Sequence, residues 1–196
     1  MIGDAAETDL IVEKIHQVMN GQKIPSLHIT GNLPFQIAGK LLAQWNRQSL
    51  LKTGLFSLAD NVEMTLIFSR KMGEKLLPTF SKRTRFSTIT QTAFDVSHPL
   101  IYPKEAFTPR PACDAIGLKF QNRKKLLFRN EKELDNYYLF LGHIYALPNK
   151  QIGTVFSKVS DKKQLLDELE ISYTERVFSV PIHKLLKLSK MVYPVL

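Results

Sequence analysis

The sequence predicts an α/β fold: an open sheet with helices over residues 1–121, followed by a small all-helical domain over 122–196. Three observations carry that expectation. Apolar, β-favouring runs at 26–30, 61–69, 94–101 and 114–120 alternate with helix-period stretches at 9–19, 36–46 and 70–77. The run Val62, Met64, Leu66, Ile67, Phe68 is nearly continuous, as expected inside a sheet. Beyond Gln121-Asn122-Arg123-Lys124-Lys125 the strand pattern stops and the apolar spacing turns helical.

In order, Leu10, Ile11, Ile15 and Val18 fall on one face of a first helix, and Asn20-Gly21 stops it. Pro25 precedes the strand Ser26–Thr30, which runs into Gly31-Asn32-Leu33-Pro34-Phe35. Ile37, Leu41, Leu42 and Trp45 then recur at helical spacing, with Trp45 read as core. Residues 48–60 contain Gly54 and read as a loop-like connection. The second strand, 61–69, leads into a helix closed by Pro78, and the cation-dense Ser81–Arg85 follows as a loop. A helix then precedes the strand that Tyr102-Pro103 ends. Pro109 and Pro111 hold the next segment extended and present Phe107 rigidly. After the last strand, Leu134, Tyr137, Tyr138, Phe140, Leu141, Ile144 and Leu147, then 165–169, then 182–192, have helical spacing. His143 and His183 read as packing residues.

Composition narrows the partners. Lys+Arg 27 against Asp+Glu 18 gives a net charge of +9 and a pI near 9.6, which favours an anionic partner such as nucleic acid. One cysteine, Cys113, allows no internal disulfide and fits a reducing compartment. There is no apolar run long enough to span a membrane, and the five histidines and one cysteine show no metal-ligand spacing. Residues 1–7 carry acids and no arginine, unlike a secretory signal or a mitochondrial presequence.

The 32–35 loop has the chemistry to hold a planar amine. Asn32 offers a side-chain carbonyl, Leu33 a backbone carbonyl, Pro34 stiffness and Phe35 a stacking face. A plain turn after a strand is the rival reading. The stretch resembles the Asn-Leu-Pro-Tyr/Phe motif of the KsgA-type ribosomal RNA adenine N6-dimethyltransferases, with mitochondrial transcription factor B as the nearest branch. Met64–Phe68 with Glu74-Lys75-Leu76, Arg85-Phe86-Ser87 with Gln91, and Phe107, Pro109, Pro111 and Asp114 resemble further motifs of that family. Lys71 stands where the family usually has an acid; Cys113 and Ala115 replace Val and Ser. The family's Arg-Arg-Lys signature is not clearly present near Lys150.

The resemblance implies a Rossmann-like class I methyltransferase sheet. It assigns Asn32, Leu33, Pro34, Phe35 and Phe107 to the target base, and Gly3, Asp4 and Asn32 to the cofactor S-adenosyl-L-methionine. Lys82, Arg83, Arg85, Arg110, Arg123, Lys124 and Lys125 are the candidate RNA contacts. None of the nine glycines is one residue from another, so the glycine-rich cofactor turn is missing. The chain therefore reads as a C-terminal fragment, inactive alone, of an enzyme that methylates adenosine N6 in small-subunit rRNA. A non-catalytic RNA-binding or mitochondrial transcription-accessory protein is the alternative. The expectation is a monomer in the mitochondrial matrix, or else in the cytoplasm or nucleolus.

Overall fold

A computed structural model describes residues 8–20, 22, 24–157, 159 and 161–193. Helix α1 (Thr8–Val18) precedes strand β1 (Ile24–Asn32); helix α2 (Phe35–Leu51) leads to β2 (Ala59–Ser69). Helices α3 (Arg70–Leu76) and α4 (Arg85–Ala93) come before β3 (Phe94–Tyr102) and β4 (Ala115–Asn122). Four helices close the chain: α5 (Glu131–Ile144), α6 (Ile152–Val155), α7 (Lys162–Glu168) and α8 (Ile182–Val192).

The four strands lie in the order β1-β2-β4-β3. β1 and β2 are parallel, and β4 runs antiparallel to both β2 and β3. Asn32 sits opposite Ile67, and Ala115 lies between Ser69 and Tyr102. One edge of the sheet thus collects the carboxyl ends of β1, β2 and β3 with the start of β4. Open α/β sheets place ligands along such an edge.

One sheet face is the core. Val62, Met64, Leu66 and Phe68 from β2 meet Ile116, Leu118 and Phe120 from β4, all buried. Phe120 touches Phe68 and Phe94 edge-on, with ring centroids at 5.8 and 5.9 Å. The near-continuous apolar run in β2 suggested two buried faces, but its other face carries Glu63 and the exposed Thr65. Polar residues at alternate positions let that face meet water. Gly73 lets α3 press against β4: a Cβ there would stand 2.1 Å from Ile116 Cγ2.

Three expectations are corrected. Residues 48–60 are not a loop: α2 runs on to Leu51, and Lys52 caps it in the left-handed region at φ 55°. A 3-10 turn over Gly54–Ser57 follows, seating Leu55 and Phe56 in the core. β4 continues through Gln121 and Asn122, because Asn122 is buried and its side chain bonds β2, taking the Val62 amide at 2.9 Å. His143 and His183 are exposed, not packed. His143 Nδ1 lies 3.3 Å from the Tyr193 hydroxyl.

A single cluster of buried side chains includes both sheet residues and helical residues beyond 122. Polar bonds cross the same boundary. Arg47 pairs with Asp135 at 2.6 Å, and Arg85 donates to the Tyr138 carbonyl at 2.9 Å. No helix among the described residues is long and apolar enough to cross a membrane.

Candidate active site

The loop after β1 is held by what is buried on either side of it. Leu33 is buried, and Pro34 starts α2, its carbonyl accepting from the Ile37 and Ala38 amides at 3.0 Å. The proline supplies the extended residue a helix start requires and donates nothing itself. Asn32 is left exposed at the sheet edge and Phe35 half-buried. Among the described residues neither the Asn32 side chain nor the Leu33 carbonyl has a hydrogen-bond partner. Two unpartnered acceptors one residue apart, on a loop stiffened by proline, can take both hydrogens of a planar amine.

Phe107 reaches the same edge from the connection between β3 and β4. Tyr102 ends β3, and Lys104–Ala106 form a 3-10 turn. Phe107 is extended, with φ −116° and ψ 145°. Its ring packs edge-on against Tyr102 at 6.3 Å and stays half-buried. Asp114 ties the connection down. Its carboxylate accepts from the Lys104 amide at 3.1 Å and its backbone carbonyl from the Arg70 amide at 2.9 Å. Arg70 Nη1 lies 3.7 Å from the same carboxylate and Arg70 Nε bonds Glu74 at 2.8 Å. Glu74 and then Asp114 push the Arg70 guanidinium above its ordinary range. The Thr108–Pro109 peptide is cis.

Register thus places 32–35 and Phe107 at the same end of the strands, following the two outer strands β1 and β3. Gly3 and Asp4 lie outside the described residues. Gly31 is the glycine at the end of β1, and it is no cofactor cradle. A Cβ there would make ordinary contact with Leu33 and Leu66 at 3.4 and 3.6 Å, so its open side faces the core. Of the three residues expected at the cofactor, Asn32 is the one among the described residues, and Gly31 beside it adds no glycine cradle.

The candidate RNA contacts divide in two. Arg83 donates to the carbonyls of Phe178, at 3.0 Å, and Val180. Arg85 is bonded to Tyr138, Arg110 to Glu105, and Arg123 to Asp95 at 2.8 Å and to the Gln91 carbonyl. These arginines hold the protein together. Lys82, Lys124 and Lys125 are exposed and form no ion pair among the described residues. Tyr102, Arg70 and Lys104 were missed in the sequence. An aromatic residue closing a strand just before Phe107 was the available signal for Tyr102; nothing local signals Arg70.

Comparison with known proteins follows the same lines. Residues 4–193 match the family model described as ribosomal RNA adenine dimethylase. The mitochondrial dimethyladenosine transferase 1 of Homo sapiens is 36% identical over 98 residues, covering 49% of this chain and 28% of that protein. Its counterpart in Drosophila pseudoobscura pseudoobscura is 26% identical over 200 residues, covering 93% of this chain and 57% of that protein. The chain thus spans less than two thirds of the length of these relatives. Two solved structures share the fold. A dimethyladenosine transferase from Plasmodium falciparum superposes with a TM-score of 0.65 at 15% identity, covering 92% of this chain and 77% of that one. The 23S rRNA methyltransferase ErmE does so at 0.60 and 13%, with the same coverage.

Proposed function

The chain belongs to the ribosomal RNA adenine dimethylase family, and on that premise we propose that the complete protein methylates N6 of adenosines in small-subunit rRNA. One observation carries the reading: two free acceptors, Asn32 Oδ1 and the Leu33 carbonyl, at a sheet edge that also carries Phe35 and Phe107. An adenine lifted from its stack would lie against these rings. Its exocyclic amine would donate both hydrogens to the two acceptors. That places electron density on the nitrogen and turns its lone pair outward, toward a methyl donor. The proton leaves to water once nitrogen has become cationic, so no basic side chain is needed.

The methyl donor implied by the family is S-adenosyl-L-methionine. Among the described residues Asn32 is the one the resemblance assigns to it, and the others at this site hold and orient the base. Residues 1–121 carry the base site, and 122–196 supply a second wall for RNA. The curated relatives are named mitochondrial, which supports a mitochondrial location, and the matrix is the compartment proposed here. The excess of basic charge, together with the missing glycine turn, also favours a second reading, a non-catalytic RNA-binding or transcription-accessory role. A methyl-transfer assay of the complete protein on rRNA separates the two, and Asn32→Ala tests the site. In a version of the protein that transfers methyl groups, loss of one aimed acceptor should slow transfer by about 100-fold. An unchanged rate would overturn the role given to Asn32 in holding the amine.

A further inference from the structure

We infer that a basic cleft at the end of the sheet remote from Asn32 is a second RNA-binding surface, holding the sugar-phosphate strand that leads away from the target base. The inference rests on the RNA substrate proposed above. The cleft has a volume of about 1040 Å³. Its floor is Asn61 and Gln121, at the amino end of β2 and the carboxyl end of β4. Asn61 pairs with Ser26, six residues before Asn32 on β1. At about 3.3 Å per residue the cleft lies about 20 Å from the amine-binding loop.

Its walls come from distant parts of the chain. One is the connection between α3 and α4, with Phe80 and Arg83; the other is the segment leading into α8, with Phe178. Arg83 joins them through the Phe178 and Val180 carbonyls. Those partners are neutral, so the guanidinium keeps its full positive charge in the cleft. Arg83, Arg123, Lys124 and Lys125 line the space against one carboxylate, Asp95, which already pairs with Arg123. Lys124 and Lys125 have no partner among the described residues and are free to reach phosphates. Phe80 and Phe178, both half-buried, line the cleft and are the aromatic side chains there on which bases would stack. Lysines that track a backbone and aromatic faces that accept any base are what a single strand needs. An acidic peptide would satisfy the lysines but leave the rings unused.

The test measures binding of the 196-residue chain to a single-stranded RNA of about 16 nucleotides across a salt series. Lys124→Gln with Lys125→Gln should make the slope of log affinity against log salt shallower by about 1.4, at about 0.7 per phosphate contact. A control pair on exposed helical positions, Lys132→Gln with Lys163→Gln, should leave it unchanged. Phe80→Ala should weaken binding by about 5-fold or more without moving the slope. Equal slope changes in the two lysine pairs would mean diffuse attraction and would overturn the inference. So would a poly-glutamate peptide bound as tightly as RNA and equally sensitive to the cleft pair. If the chain binds no RNA at all, the proposed function falls with the cleft. RNA binding that ignores the cleft variants sinks the cleft alone.

Discussion

The Asp114 carboxylate accepts a hydrogen bond from the Lys104 amide at 3.1 Å, closing a loop whose ends are ten residues apart and which carries Phe107. Arg70, the first residue of α3 directly after β2, donates its own amide to the Asp114 carbonyl. The loop is therefore anchored to β2 as well as to itself. Asp114→Ala should cost about 1.5 kcal/mol, the order of one hydrogen bond to a charged group. It should also speed amide exchange at Lys104 and around Phe107. Exchange at the parent rate in that segment would show that the carboxylate does not hold it.

Phe107→Ala should weaken binding of a single-stranded RNA with an unpaired adenosine by about 5-fold to 150-fold, the value of one stacked base. Phe35→Ala should do the same, and neither change should alter the salt dependence, since no charge is lost. Fluorescence anisotropy at two salt concentrations checks both points.

The sheet and most helices were legible because each has its own period: 2 in Val62, Met64, Leu66, Phe68 and 3.6 in Leu134, Tyr137, Leu141, Ile144. The 48–60 stretch was misread because Lys52, Thr53 and Gly54 look like breaks. Their left-handed cap only turns the chain, so that Leu55 and Phe56 enter the core. The site motifs at 32–35 and 107–114 could be read, but their placement at the same end of the strands could not, since it follows from strand direction and register. Nor could Arg83, Arg85 and Arg123 be told from free cations. A run of charge does not name its partner, and the carbonyls held by Arg83 lie 95 and 97 residues away.

Gly73→Ala should destabilise the fold by about 1–3 kcal/mol despite the better helix propensity of alanine. The new methyl group would meet Ile116 Cγ2 at 2.1 Å in a packed core. Ile116→Ala in the same chain should restore part of the loss, a coupling that a double-mutant cycle in denaturant would measure.

Alkaline pH should unfold the helical half through its phenols. Burial pushes the Tyr138 hydroxyl up to about 12, and raises Tyr137 and Tyr145 as well. Tyr137 and Thr92 hydroxyls lie 3.0 Å apart, as do those of Tyr145 and Thr88 at 2.7 Å. A raised native value favours the protonated form. The stabilisation is whole below the unfolded phenol value near 10 and is lost as pH rises through the native values. Thermal melts with tyrosinate absorbance should show the melting temperature falling from about pH 10 upward. Tyr138→Phe should flatten that fall.

Residues 1–196 alone should give no heat of binding with S-adenosyl-L-methionine in a calorimetric titration. No glycine in the chain is one residue from another, and Gly31 turns its open side to the core. Micromolar binding would require a cofactor site built on different principles.

The two borders of the sheet differ in a way that sets how it can grow. β3 is a poor template: its pairing is broken by a bulge between Ser97 and Leu100, His98 has φ 52°, and Pro99 offers no donor. β1 pairs over Ile24–Asn32 with β2 alone among the described residues, and is interrupted only by Pro25 near its start. Among the described residues, β1 is thus the one border at which a further strand, for example from a second copy, would add. Edge-to-edge association would therefore stop at a closed pair rather than run on into a filament.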